Sequence, residues 1–487
     1  MSGRDVSGSV DALHQRLGVI APHLVDEVPV ASIGRLLAVL ADAVAQQPTA
    51  ERVWLLATAI AGGYPTASEV DAVRRGLELA SPIARSGAAL AGVAVTASAV
   101  RSATVTAEVV TTGVLVDVDF CATNSHNTGI QRVVRNTVKH WPASKAVLVA
   151  WSGDGTGYRR LTAGQERLVV DWRSGLGPAT EPESDVLLIP VATTVLLPEV
   201  PAHRYLDRLA ALAESSGNRT GLVGYDAIPL VSADFVSEDE SDRFAHYLTV
   251  VKHSSVVSGI SETTAEEFRG FNRALAAQGL EGPRVDALLL PTARPPGEIA
   301  PPATREIPLV LMVGSIEPRK NQLGVLAASE SLWSEGLRFE LLFIGGGGAV
   351  QVGDLDRGIQ RARAKGHSVS HGRGVGDEQL AAAYRDARFF VFPSLQEGYG
   401  LPVAEALASG TPVITTRYGS TAEVAAVGGC LLVDPRDDAD IASAMRTLLT
   451  DDTELARLTS ETANLDSAGW PEYAANLWTQ LVEEVAA

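Results

Sequence analysis

The chain has 487 residues, about three times the length of an ordinary domain, so two or three domains are expected. Its hydrophobic content of 46% and charged content of 20% are those of a globular protein with a sizeable core, not of a disordered chain. A formal net charge of −18 argues against nucleic acid as a partner, because its phosphates would be repelled over most of the surface.

Met1 to Asp11 hold no apolar run, so no signal peptide is expected. Up to residue 108 the sequence is rich in Ala, Leu and Val at helical spacing. Ile33, Leu36, Leu37 and Leu40 make one such face, and Val53, Leu56, Ala57 and Ile60 another. This region, 1–108, reads as a helical extension that packs or binds a partner, without chemistry of its own. Its longest uncharged stretch, Ser86 to Val100, is shorter than the roughly 20 residues that cross a bilayer. Cys121 and Cys430 stand alone, far from any CxxC pattern, and are expected reduced and buried, as in a cytosolic protein.

From Gly113 short apolar runs alternate with amphipathic stretches. Strands are expected at 113–120, 146–152, 185–191, 220–226, 255–261 and 284–290. Helices are expected near 129–141, 203–215, 239–252 and 262–278. Such alternation builds a parallel sheet covered on both faces. The Pro-rich stretch 291–303 reads as an interdomain linker. Strands then resume at 308–315, 339–346, 388–394, 411–416 and 429–434, and an amphipathic stretch from Trp470 closes the chain. The expected division is 1–108, 109–295, 304–468 and 469–487.

Ligands of open parallel sheets bind beyond the carboxyl ends of the strands. Two loops of the second half stand out there. In GSIEPRKN (314–321), Arg319 offers a planar fork for phosphate oxygens, Lys320 a point charge, and Asn321 a cap for the next helix. A solvated cation pair is the plainer alternative. In PSLQEGYGLPVAEALASGTPVI (393–414), Pro402 and Gly410 bracket a short helix near 402–409. Gly398 and Gly400 let the backbone approach a ligand, and the helix start offers free N–H groups to a phosphate. Glu397 and Glu405 suit the vicinal hydroxyls of a sugar, although Glu405 could simply complement the helix dipole.

Glu397 and Glu405, set in EGYGLPVAEALASGTPV, resemble the E-x7-E signature of the retaining glycosyltransferases of family 4, and EPRKN is similar to that family's phosphate loop. The resemblance covers about 113–485. It implies an α/β GT-B fold: two facing Rossmann-like domains with parallel sheets, here with an N-terminal α-helical extension. The donor, a nucleotide diphosphate sugar, would bind mainly to the second domain. Glu405 would hold the ribose hydroxyls and Glu397 those of the transferred sugar. The N–H groups of Gly400 and Leu401 would meet phosphate, while Arg319 and Lys320 neutralise the leaving diphosphate. Gly129 and Gly314 would lie near the donor, and Val375 falls where the family places the base. Ser315 follows Gly314 where many members have an Arg.

No cofactor or metal is expected. Asp117-Val118-Asp119 matches the metal-binding D-x-D of the other large glycosyltransferase fold, but Asp354-Leu355-Asp356 and Asp438-Ala439-Asp440 show that such pairs arise by chance. Asp117 is still a candidate for the acceptor cleft. Asp226 ends a strand where many family members have His-Asp. It would take the acceptor proton or orient the donor, with a turn-capping role as the alternative. Residues 129–145 hold four Lys or Arg and no acid, which points to an anionic membrane surface or a pyrophosphate-linked lipid acceptor, or else to a solvated helix face. The implied activity is transfer of a hexose, mannose preferred, to a glycan or lipid-linked glycan. The expected place is the cytoplasm, peripheral to the inner membrane face. A nucleotide-sugar 2-epimerase and a non-catalytic binding subunit are the competing readings.

Overall fold

The computed structural model describes residues 3–28, 32–93, 104–127, 129–172, 177, 181–292, 305–463 and 469–484. Residues 293–304, most of the expected linker, lie outside these.

Fifteen strands form three sheets among the described residues. They are β1 (Thr106–Val110), β2 (Val114–Asp117), β3 (Ala146–Trp151), β4 (Tyr158–Arg160), β5 (Val186–Pro190), β6 (Thr194–Leu197), β7 (Arg219–Gly224), β8 (Val256–Gly259), β9 (Arg284–Ala287), β10 (Leu309–Val313), β11 (Glu340–Ile344), β12 (Ser368–Gly372), β13 (Phe389–Phe392), β14 (Val413–Thr416) and β15 (Cys430–Val433). The first large sheet runs β4-β3-β2-β6-β7-β8-β9 and is parallel except for the β3–β4 edge. The second runs β12-β11-β10-β13-β14-β15 and is wholly parallel. Leu309–Val313 and Phe389–Phe392 are buried at every position, as expected for strands covered on both faces.

The run 185–191 does not join the large sheet. As β5 it pairs with β1 in a separate two-stranded parallel ribbon, and the central place beside β2 goes to β6. β1 also straddles the expected boundary at 108.

The front helices (Gly3–Ile20, Ile33–Gln46, Ala50–Ala61, Ala67–Leu79 and Arg85–Gly92) are not a free-standing module. Their apolar faces share one core with the first large sheet, running from Leu17, Leu40 and Trp54 to Leu115, Val149 and Val195. Polar bonds stitch the same seam. Buried Arg16 donates to Ala59 O (2.7 Å) and Val105 O (2.6 Å), and Tyr64 Oη donates to Leu188 O at 2.6 Å. No helix among the described residues is long and apolar enough to cross a membrane.

At the other end of the chain, the Trp470–Trp478 helix returns to the first sheet's side. Trp141 Nε1 donates to Ala474 O at 3.0 Å, and the Trp141 and Trp478 rings meet edge-on at 5.6 Å.

Loops beyond the carboxyl ends of the two large sheets meet one another. Ser261 Oγ and Thr264 Oγ1 donate to Gly398 O at 2.7 and 3.0 Å. Glu423 caps the Glu262–Ala276 helix from the opposite half, accepting from Glu262 N and Thr263 N, each at 2.8 Å.

Candidate active site

The phosphate-loop candidate leaves β10 at Gly314, whose φ of +151° lies in the range that favours glycine. A turn of 3-10 helix over Pro318–Lys320 then aims both cations inward. Lys320 is buried, with its ammonium 2.6 Å from Glu397 Oε1 and 5.1 Å from the centre of the Phe392 ring. Arg319 spans Glu317 (2.8 Å) and Glu397 (3.1 Å) and donates to Gln396 O at 3.0 Å. Asn321 does not cap the next helix. It adopts φ +64° and donates instead to Pro435 O at 2.7 Å, tying this loop to the one after β15.

Glu397 therefore sits at the centre of a buried charge cluster, with Ser394 Oγ adding a 2.7 Å hydrogen bond. Burial works to raise its pKa. Lys320 and Arg319 overcome that and hold the carboxylate below its usual range. Asp226 faces the same cluster from the first sheet. Its Oδ1 accepts from Ile228 N at 3.1 Å, the turn-capping bond, and burial pushes its pKa up despite Arg319 and Lys320 nearby. The structure thus brings Arg319, Lys320, Glu397 and Asp226 into one cluster, but the two cations already answer carboxylates. A phosphate would meet the unused N–H groups of a cation–carboxylate network, not bare charges.

Glu405 lies in a different environment one turn into the Leu401–Ala408 helix, which starts one residue earlier than the sequence suggests. Tyr384 Oη donates to Glu405 Oε2 at 3.1 Å. Arg132, from the first half, forms an ion pair with Oε1, but the contact lacks hydrogen-bond alignment. Gly400 takes φ +103° at the helix start, and a Cβ there would sit 2.9 Å from Thr421 Cγ2. Leu401 Cδ1 is 3.5 Å from where a Cβ on Gly129 would lie, so the first half's Gly turn does come up against this helix start. Val375 is half-buried and packs against Gly372 after β12, two strands away from Gly314.

The expected basic face on 129–145 is presented only in part. Arg135 is buried, donating to Leu168 O, His126 O, Asn127 Oδ1, Cys121 O and Asn124 O, because it locks the preceding loop onto the Gly129–Val138 helix. Arg132 turns to Glu405. Lys139 and Lys145 are exposed, and the Arg132 side chain stays 43% exposed. Asp117 does not open onto the cleft either. Its carboxylate is buried beneath Trp151 Nε1 (3.0 Å) and Tyr158 Oη (2.9 Å). Among the described residues, the one group of His, Cys, Asp or Glu close enough to share an ion is His203, Asp242 and His246, which leaves out every D-x-D pair.

Sequence reasoning missed Arg132, Tyr384, and the Ser232–Gln396–Glu267 link that joins the halves beside Asp226. Tyr384 lies 21 residues before its partner and within no motif. Arg132 could have been suspected from its place three residues after Gly129, on the same helix face.

Two α/β halves with parallel sheets, meeting at their carboxyl edges, have the GT-B architecture. Residues 300–465 match the family described as glycosyl transferases group 1. The serotype-specific mannosyltransferase WbdA of Escherichia coli is 28% identical over 325 residues, 62% of this chain and 38% of that protein. The O-antigen chain mannosyltransferase B of the same species is 37% identical over 144 residues, 29% of this chain and 37% of its own. The chain thus spans well under half the length of these relatives. Among solved structures, an α,α-trehalose-phosphate synthase (UDP-forming) from Burkholderia vietnamiensis shares the fold with a TM-score of 0.52 at 15% identity, over 77% of this chain and 98% of that one. Sucrose-phosphate synthase from Thermosynechococcus elongatus does so with a TM-score of 0.51 at 16% identity, over 77% and 96%.

Proposed function

We propose that the chain is a retaining glycosyltransferase that moves a hexose, mannose in first place, from a nucleoside diphosphate sugar to a hydroxyl of a glycan or lipid-linked glycan. The observation that carries this reading is the division of labour between the two motif glutamates. Glu397 is fixed and ionised among Lys320, Arg319 and Ser394, beside a helix start able to receive phosphate. Glu405 is one turn deeper, and its Oε1 is buried against Arg132 without an aligned hydrogen bond. A carboxylate of the second kind suits a ribose diol; one of the first kind suits the hydroxyls of the sugar at the bond that breaks. The mannosyltransferase relatives support mannose as the transferred sugar.

In this reading the glycosidic bond breaks with charge building on the diphosphate. The remaining donors of Arg319 and Lys320 and the N–H groups of Gly400 and Leu401 stabilise that charge, each such donor contributing about 3 kcal/mol in comparable sites. No metal is called for in this proposal. The acceptor hydroxyl attacks from the leaving group's face, and the departing phosphate oxygen takes its proton. Val375 and Gly314 border the donor, and Asp226 holds the donor or the acceptor hydroxyl in place.

A hydrolysis assay over GDP-mannose, GDP-glucose, UDP-glucose and UDP-N-acetylglucosamine, reading released nucleotide, tests the proposal. GDP release from GDP-mannose is the expected result. Absence of both turnover and binding for every donor would sink it, and an epimerised sugar without nucleotide release would point to the epimerase instead.

A further inference from the structure

The Gly129–Val138 helix carries two arginines with opposite fates. Arg135 is spent on holding its own surroundings, with its guanidinium bonded to four backbone carbonyls and an amide oxygen. Arg132 contributes nothing comparable to the first half. It leans across the cleft to Glu405 of the second half, and the two side chains remain 43% and 21% exposed. A pair with its arginine end open to water and no aligned hydrogen bond contributes little stability, so another ligand can displace it at small cost.

Its place along the helix decides what that ligand is. Gly129 and Arg132 are three residues apart and share a face. Gly129 abuts Leu401, the first residue of the Leu401–Ala408 helix. That helix start, with Gly400 before it, presents a positive dipole end and backbone N–H groups to an anion. Arg132 therefore stands between the start of the helix and the carboxylate one turn in. A guanidinium so placed can serve either group, and its planar fork matches a phosphate as well as a carboxylate.

We infer that Arg132 is a donor-site residue supplied by the first half: it pairs with Glu405 until a donor ribose takes that carboxylate, and the freed guanidinium then grips the diphosphate. This rests on the proposed donor site. Ribose and diphosphate would then be coupled through one side chain. A nucleoside alone must displace Arg132 from Glu405 with nothing to receive it. A nucleoside diphosphate gives the displaced cation a new partner, and in doing so ties the two halves together.

The test compares affinities for GDP with guanosine, and for UDP with uridine, by calorimetry on the full chain and on Arg132→Gln and Arg132→Lys. Arg132→Gln should weaken the diphosphate of the preferred base about tenfold or more, the usual scale of a charge-assisted hydrogen bond. It should leave the nucleoside unchanged or bind it more tightly, because Glu405 is no longer claimed. Arg132→Lys should fall between. A merely structural role would move both affinities together, and equal shifts, or none, would overturn the inference. Failure of the wild-type chain to bind any of the four would instead sink the proposed donor site itself, and this inference with it.

Discussion

Glu397 and Glu405 look alike in the motif and differ in what surrounds them, and this sets different costs for losing each. Glu397→Gln leaves the Lys320 ammonium, 9% exposed, opposite a neutral amide. Breaking a buried pair on one side costs about 3–5 kcal/mol, because the surviving charge stays out of water. Arg319 cannot relieve that, being a cation itself. Glu405→Gln keeps an acceptor for Tyr384 and loses only a partly exposed pair, so stability should change by less than about 1 kcal/mol. Turnover should fall roughly a hundredfold in the same variant, if Glu405 holds the ribose through reaction. Urea unfolding beside donor hydrolysis separates the two effects. Equal destabilisation by both substitutions would contradict the distinction drawn between them.

At the scale of elements, the 394–400 loop is one of the links between the halves, and Gly398 meets the first half closely. A Cβ there would sit inside the radius of Tyr225 O and 3.2 Å from Asp226 Cβ. Gly398→Ala should therefore push the loop off the first half and break the bonds that Ser261 and Thr264 make to Gly398 O. Glu397, Lys320 and the helix start belong to the second half and Arg132 and Asp226 to the first, so donor affinity should weaken by less than kcat falls, kcat dropping about tenfold or more as for a lost closure step. Loss of affinity in proportion to kcat would count against the loop as a closure element. This loop was legible in the sequence because glycines, proline and paired acids mark it. Elements without such marks were not. β12 has one apolar residue, Val369, since it is an edge strand. β6 runs on from β5 in one apolar stretch, divided only by the turn at Ala192, where φ is +52°. Arg135 reads as a surface cation from its charge, and only the tertiary structure shows its carbonyl partners. The residues that cross between halves were illegible for a similar reason: Arg132 and Glu405 are distant in sequence, and nothing local in either fixes the other.

For the whole molecule, the front helices do more than lengthen the first half, because they close a water-excluding lid over its acids. Tyr64, in the loop between the Ala50–Ala61 and Ala67–Leu79 helices, packs on Trp151 at 6.0 Å and on Tyr158 at 5.6 Å, the two residues whose Nε1 and Oη donate to Asp117. Asp119 and Glu199 lie close by. Glu199 accepts from Phe120 N and Cys121 N at 2.8 and 2.9 Å. Burial first, then the neighbouring carboxylates, push Asp117 up to about 8, and burial pushes Glu199 up to about 7. Both pKa values are raised on folding, so the folded chain binds more protons than the unfolded one between the ordinary carboxylate range and these values. Stability must then fall as pH rises through that window, by the linkage between proton uptake and folding. Thermal midpoints measured from pH 5 to 8.5 should decline, although His140 and His253, whose pKa values burial lowers, pull the other way near neutrality. Asp117→Asn cannot titrate and isolates the effect: its midpoint should vary less with pH than the wild type's, whatever its absolute value. Parallel pH profiles would mean that water reaches Asp117 and that the helical layer does not seal the first half as its packing implies.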